Sequence, residues 1–209
     1  MGMDINIYTK GFSAGLIPGI KKRFADFNME IEFHPEFKFD EQADTGFLPI
    51  KLKVHTGHSK QYDNIKHEIM TGFELLFDDY DFDEALKNTP QETIAPERKS
   101  FLSKLFGGNK TAAPTAVSFV ADNEVDKLLK HCKKDILLNW KCRNKSELRV
   151  SLFFAAILAE LTDGVIYDPQ NGRYLSGQQA LQTFPQEIEA YEQSLTTGEF
   201  TVDKFEGWV

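Results

Sequence analysis

The sequence predicts an α+β fold, a mainly antiparallel sheet packed by helices, with a long inserted loop or linker near 89–114. Three observations point to it. Leu48, Ile50, Leu52 and Val54 alternate with Lys51 and Lys53, the period-2 pattern of a half-buried antiparallel strand. The nearly apolar run from Val150 to Ala159, ended by Gly164, reads as a buried helix leading into a short strand. Strands and helices also lack the regular alternation of a doubly wound sheet.

Taken in order, residues 4–9 are a short strand rich in β-branched and aromatic side chains. A helix over 18–27 starts on Pro18, whose fixed φ suits a first helical position, and carries Ile20, Phe24 and Phe27 on one face. Residues 29–39 alternate through Ile31, Phe33, Phe37 and Phe39, broken at His34-Pro35, and the strand over 47–55 follows. Residues 58–70 suggest a helix, and Gly72 opens a strand over 73–77. Three prolines and Gly107-Gly108 mark 89–114 as a flexible segment whose 101–106 core is a short amphipathic turn.

The second half opens with a strand over 116–121. Asp122 is a good N-cap for a helix with apolar positions 125, 128, 129, 132, 136 and 140. The buried helix, the strand after Gly164 and a Pro169-Gln170-Asn171-Gly172 turn come next, then a helix over 177–194 interrupted at Pro185. The expected organisation is a single α+β domain over 1–209, its halves 1–88 and 115–209 joined by the flexible segment 89–114.

Composition bounds the function. Of 209 residues, 41% are hydrophobic and 27% charged, as in a globular protein with a sizeable core, and 18 are Phe. A net charge of −8 argues against nucleic acid and suits a basic protein partner. The longest apolar run is about half the roughly 20 residues a membrane span needs, and no signal peptide is visible, so no membrane partner and a cytoplasmic location are expected. Cys132 and Cys142 fit two reduced thiols rather than a disulfide framework. No nucleophile elbow, Walker loop or dinucleotide fingerprint appears, so no cofactor is expected and catalysis has no support.

Two stretches are candidate binding sites. In the run 77–84, Asp79, Asp81 and Asp83 alternate with Tyr80 and Phe82 behind Phe77, an acidic and aromatic surface suited to a basic protein. The same spacing opens an EF-hand loop, but Glu84 and Pro90 occupy its glycine and bidentate-glutamate positions. The plain alternative is a solvated acidic loop capping the helix that follows. The second stretch is the turn at 168–174, which can present Asp168, Arg173 and Tyr174 to a ligand or simply join two strands. His55 and His58, with His67 nearby and the acidic run 78–84, are the candidate ligands of a metal-dependent hydrolase; zinc would need a further donor. Lys127, Lys130 and Lys134 read as one solvated helix face.

The segment 154–170, Phe-Ala-Ala-Ile-Leu-Ala-Glu-Leu-Thr-Asp-Gly-Val-Ile-Tyr-Asp-Pro-Gln, resembles a C-terminal segment of small bacterial α/β proteins, some of them immunity proteins of contact-dependent or secreted toxin systems. The resemblance covers about 25 residues and implies no catalytic residue. It implies a bacterial, immunity-like binding role, which matches the acidic surface at 77–84. The alternatives are the metal-dependent hydrolase and a scaffold protein connected through 89–114.

Overall fold

The computed structural model describes residues 3–40, 45–55, 62, 65, 68–88, 124–141 and 145–194. Its strands are β1 (Met3–Thr9), β2 (Met29–Phe33), β3 (Gly46–Val54), β4 (Ile69–Asp79), β5 (Lys134–Trp140), β6 (Val165–Asp168) and β7 (Arg173–Ser176). Its helices are α1 (Ile17–Asp26), α2 (Phe82–Asn88), α3 (Glu124–Leu129), α4 (Lys145–Leu161) and α5 (Gly177–Ser194). The strands form one seven-stranded sheet in the order β2-β3-β4-β5-β1-β6-β7. Every neighbouring pair is antiparallel. The α+β class and its antiparallel sheet are therefore what the alternation of 47–55 predicts. Strands from both sides of 89–114 share the sheet, because β4 pairs with β5; that segment itself, with the turn at 101–106 and the strand at 116–121, lies outside the described residues.

α4 is the centre of the molecule. Its residues from Leu152 to Ala159 are all buried, as expected of a helix that is apolar all round. Phe154 meets Phe73 of β4 at 4.9 Å between ring centroids, and Phe153 meets Phe27 beside α1 at 4.9 Å. Arg23 of α1 grips Glu160 of α4 through both Nε and Nη2, at 2.6 and 2.7 Å. On the other flank α5 lays Ala180, Leu181, Phe184, Ile188 and Tyr191 into the core. Its start is a capping box: Ser176 Oγ accepts from the Gln179 amide while the Ser176 amide donates to Gln179 Oε1.

Four expectations are corrected. The helix from Asp122 does not reach Trp140: α3 ends at Leu129, and Lys134–Trp140 is strand β5. Ile136, Leu138 and Trp140 alternate inward, and both edges of β5 are taken, by β1 and β4. Lys134 therefore opens that strand and does not share a helix face with Lys127. The predicted helix over 58–70 is not found at its described residues: Tyr62 is in a turn, Ile65 and Glu68 are in no element, Ile69 and Met70 already belong to β4, and Gly72 lies inside that strand. The other residues of the stretch lie outside the described ones. Finally, α5 runs through Pro185 without interruption. The missing N–H and ring clash cost about 3 kcal/mol in a helix interior, and the buried stripe on both sides of the proline offsets that.

Candidate binding surface

α1, α4 and α5 cover one face of the sheet, so every second side chain of each strand points to the other. At one end of this outer face α2 and α3 cover a small second core of Tyr80, Phe82, Leu129, Cys132 and Val165, with Tyr8 and Tyr174 against it. At its middle, Leu76 and Phe47 remain 46% and 44% exposed.

Strand pairing arranges the outer side chains in rows. Asp78, Asp135 and Tyr8 stand opposite one another on β4, β5 and β1. Leu76, Leu137 and Asn6 form the next row. Phe47, Glu74, Asn139 and Asp4 form the third. Rows on one face are separated by about 7 Å, two residues along a strand. Phe47 keeps its place because Gly72 leaves room for its ring; a Cβ there would run into the ring and the Leu48 carbonyl. A slanted apolar line, Phe47–Leu76–Leu137, thus crosses the sheet between acidic side chains. Lys134 lies 3.0 Å from Asp79 and Lys141 lies 3.8 Å from Glu74, exposed pairs of small energetic weight.

Asp78 and Asp135 are directly opposed like charges. Burial raises the Asp135 carboxyl above its ordinary range, the Asn6 amide that donates to it at 2.9 Å opposes the shift, and Asp78 adds to it. The folded protein then holds this proton to higher pH than the unfolded chain, so stability falls as pH rises through the carboxylate range. Asp135→Asn, which keeps an acceptor for Asn6, is expected to stabilise the protein by about 0.5–1 kcal/mol at pH 7. The gain should fade as pH drops and the carboxyl is protonated. Urea midpoints of the two proteins from pH 4 to 8 check this; a gain independent of pH would refute it.

The residues singled out in the sequence divide differently from their expected grouping. Phe77 points to the helical face and packs on Phe12 at 5.0 Å. Tyr80 and Phe82 are 9% and 7% exposed, and Tyr80 meets Tyr8 at 4.6 Å. The aromatics of the run are thus turned inward, because each has a core to fill, and its acids alone face solvent. Asp81 Oδ1 accepts from the Glu84 amide at 3.0 Å, capping α2 as the plain alternative expects. Asp83 is exposed in the first turn of α2, and Asp81, Asp83 and Glu84 border a shallow hollow open to solvent.

Asp168, Arg173 and Tyr174 are brought together as a structural knot. Asp168 is buried and accepts from the Gln170 and Asn171 amides, from Asn171 Nδ2 at 2.7 Å and from Arg173 Nε at 2.9 Å. Arg173 reaches on to Glu187 at 2.8 Å, which ties the β6–β7 turn to α5. The Tyr174 ring lies 4.8 Å from Tyr167 and 6.4 Å from Tyr8. Beside the knot, Met3, Trp140, Leu148 and Glu187 line a cavity of about 20 Å³, room for one water.

His55 pairs with Glu30 at 2.9 Å near the β2 edge; His58 and His67 lie outside the described residues. Among the described residues no three His, Cys, Asp or Glu side chains are placed to share a metal ion. The Cys132 thiol, hydrogen-bonded to the Leu128 carbonyl, is pushed up to about 11 by burial, which keeps it protonated and unreactive. No helix among the described residues is long and apolar enough to cross a membrane.

Sequence reading by runs misses Leu76, Phe47 and Leu137. Their signal is an apolar side chain on the polar phase of a strand: Leu76 falls between the inward Leu75 and Phe77, and Phe47 precedes the inward Leu48. The chain matches no protein-family model, no curated protein and no solved structure.

Proposed function

We propose that this protein is a non-catalytic binding module that holds a basic protein partner on the outer face of its sheet. The observation that supports the reading is Leu76, a large apolar side chain 46% exposed between acidic rows in the middle of that face. Exposed apolar area rimmed by polar groups marks interaction sites, and aligned negative charge steers a cationic partner. The exposed acids of the run lie at the end of β4 and the start of α2, where Asp79 is paired with Lys134 and Asp81 and Asp83 add negative charge beside the face. A cytoplasmic, immunity-like role in a bacterium fits these features: an inhibitor of a basic toxin needs fast, charge-steered association more than chemistry.

The test is to capture the partner from the native host, identify it and measure association kinetics with purified proteins. Charge reversal of Asp79, Asp81 and Asp83 to lysine is expected to lower the on-rate about tenfold at low ionic strength and much less at high salt. A partner that is acidic, or an on-rate unchanged by the triple reversal, overturns the reading.

A further inference from the structure

The chain contains one Asn-Gly pair, Asn171-Gly172, and it sits in the turn that the buried Asp168 organises. An asparagine followed by glycine is open to attack on its own side chain, because no Cβ shields the glycine nitrogen. In that reaction the Gly172 nitrogen bonds to Cγ of Asn171 and gives up its proton, the Cγ–Nδ2 bond breaks, and ammonia departs from a cyclic imide. Water then opens the ring at either carbonyl, and the product is aspartate or isoaspartate at 171. The reaction consumes only water, and the loss of ammonia makes it one-way.

The fold holds one end of this reaction and exposes the other. Asn171 Nδ2, the leaving group, donates to Asp168 Oδ2 at 2.7 Å, and the Asn171 amide lies 3.3 Å from both the Asp168 carbonyl and Asp168 Oδ1. Gly172, on the attacking side, is exposed, with a φ of 59°. Bringing Cγ onto the Gly172 nitrogen requires the Nδ2–Asp168 bond to open first. The product cannot restore that bond, because a carboxylate only accepts. The Arg173 guanidinium, already shared by Asp168 and Glu187, would then face three carboxylates. We propose that Asn171 is a site of spontaneous deamidation gated by opening of the β6–β7 turn. The modification acts as a one-way switch: once made, it loosens the tie between that turn and α5.

Peptide mapping by mass spectrometry, after incubation at mildly alkaline pH, measures the reaction at 171 in the native chain and in urea. The native chain should react at least about tenfold more slowly, because its rate follows the fraction of molecules with the turn open. Asp168→Ala, which frees the carboxamide, should bring the native rate towards the rate in urea. Gly172→Ala should slow the reaction in urea, where the fold plays no part. Asn171→Asp, which installs the product, should melt about 5 °C below the parent. A native rate equal to the rate in urea, or no reaction at 171 in urea, overturns the proposal. So does a folded Asp168→Ala as slow as the parent, or an Asn171→Asp that melts with it. Should Asp168→Ala fail to fold, the urea comparison and the Asn171→Asp melting still decide.

Discussion

Glu192→Ala is expected to destabilise the protein by about 3–5 kcal/mol, the cost of leaving a buried charge without its partner. Arg149 of α4 meets Glu192 of α5 through two parallel hydrogen bonds of 2.8 and 2.7 Å, and the two side chains are 10% and 1% exposed. Tyr62 completes the group: its hydroxyl donates to Glu192 at 3.0 Å, and the guanidinium lies 4.9 Å from its ring centroid. Burial works against the Arg149 charge, but hydrogen bonding and attraction from Glu192 prevail and hold the guanidinium above its ordinary value. Without the carboxylate, Tyr62 alone remains to support the guanidinium against its burial. Urea unfolding at fixed slope measures the loss. Replacing both partners, Arg149→Met with Glu192→Leu, should recover most of it, since an apolar pair needs no desolvation. A single substitution as mild as the double would show that the pair is solvated in solution.

Gly177→Ala is expected to cost about 3 kcal/mol, the upper end of overpacking penalties, although alanine is the better helix former. Gly177 opens α5 against the end of α4, where an added Cβ would run into the backbone nitrogen and Cα of Glu160. No rotamer relieves a clash with backbone; the two helices must separate, and the buried stripe of α5 with them. Gly11→Ala is the control, because nothing lies within 4 Å of its Cβ position. By calorimetry the first variant should melt about 10 °C lower and the control within about a degree of the parent. Equal melting of the two would mean that the helix crossing tolerates the methyl group.

Neither effect is legible in the sequence. Arg149 and Glu192 are 43 positions apart, and only the antiparallel packing of α4 on α5 joins them. Gly177 reads as a residue at a helix start, with no sign of the backbone that approaches it. Elements whose burial is encoded locally read correctly. The apolar run of α4, the period-2 pattern of β3 and the Asn171-Gly172 turn each report their own surroundings, so their types follow without the rest of the chain. β5 fails for the opposite reason. Leu137 fills the outward phase between Ile136 and Leu138, which hides the alternation, and the apolar spacing from Val125 to Ile136 imitates a helix. Two neighbouring strands, distant in sequence, decide the matter.

The candidate site divides the same way. The acids of 77–84 are visible as a run, and their exposure follows from charge alone. Which apolar side chains face outward depends on the sheet: Phe77 and Leu76 are adjacent, yet pleating sends the first into the core and leaves the second in solvent. By itself the sequence determined an acidic, Phe-rich α+β chain with a buried helix at its centre and no recognised catalytic motif. The tertiary structure decided that Asp168 is a structural carboxylate, that β5 bridges the two halves, and that Leu76 stands exposed between acidic rows of the outer face. Composition and periodicity are local sums along the chain, whereas a surface is a set of side chains made neighbours by strand register.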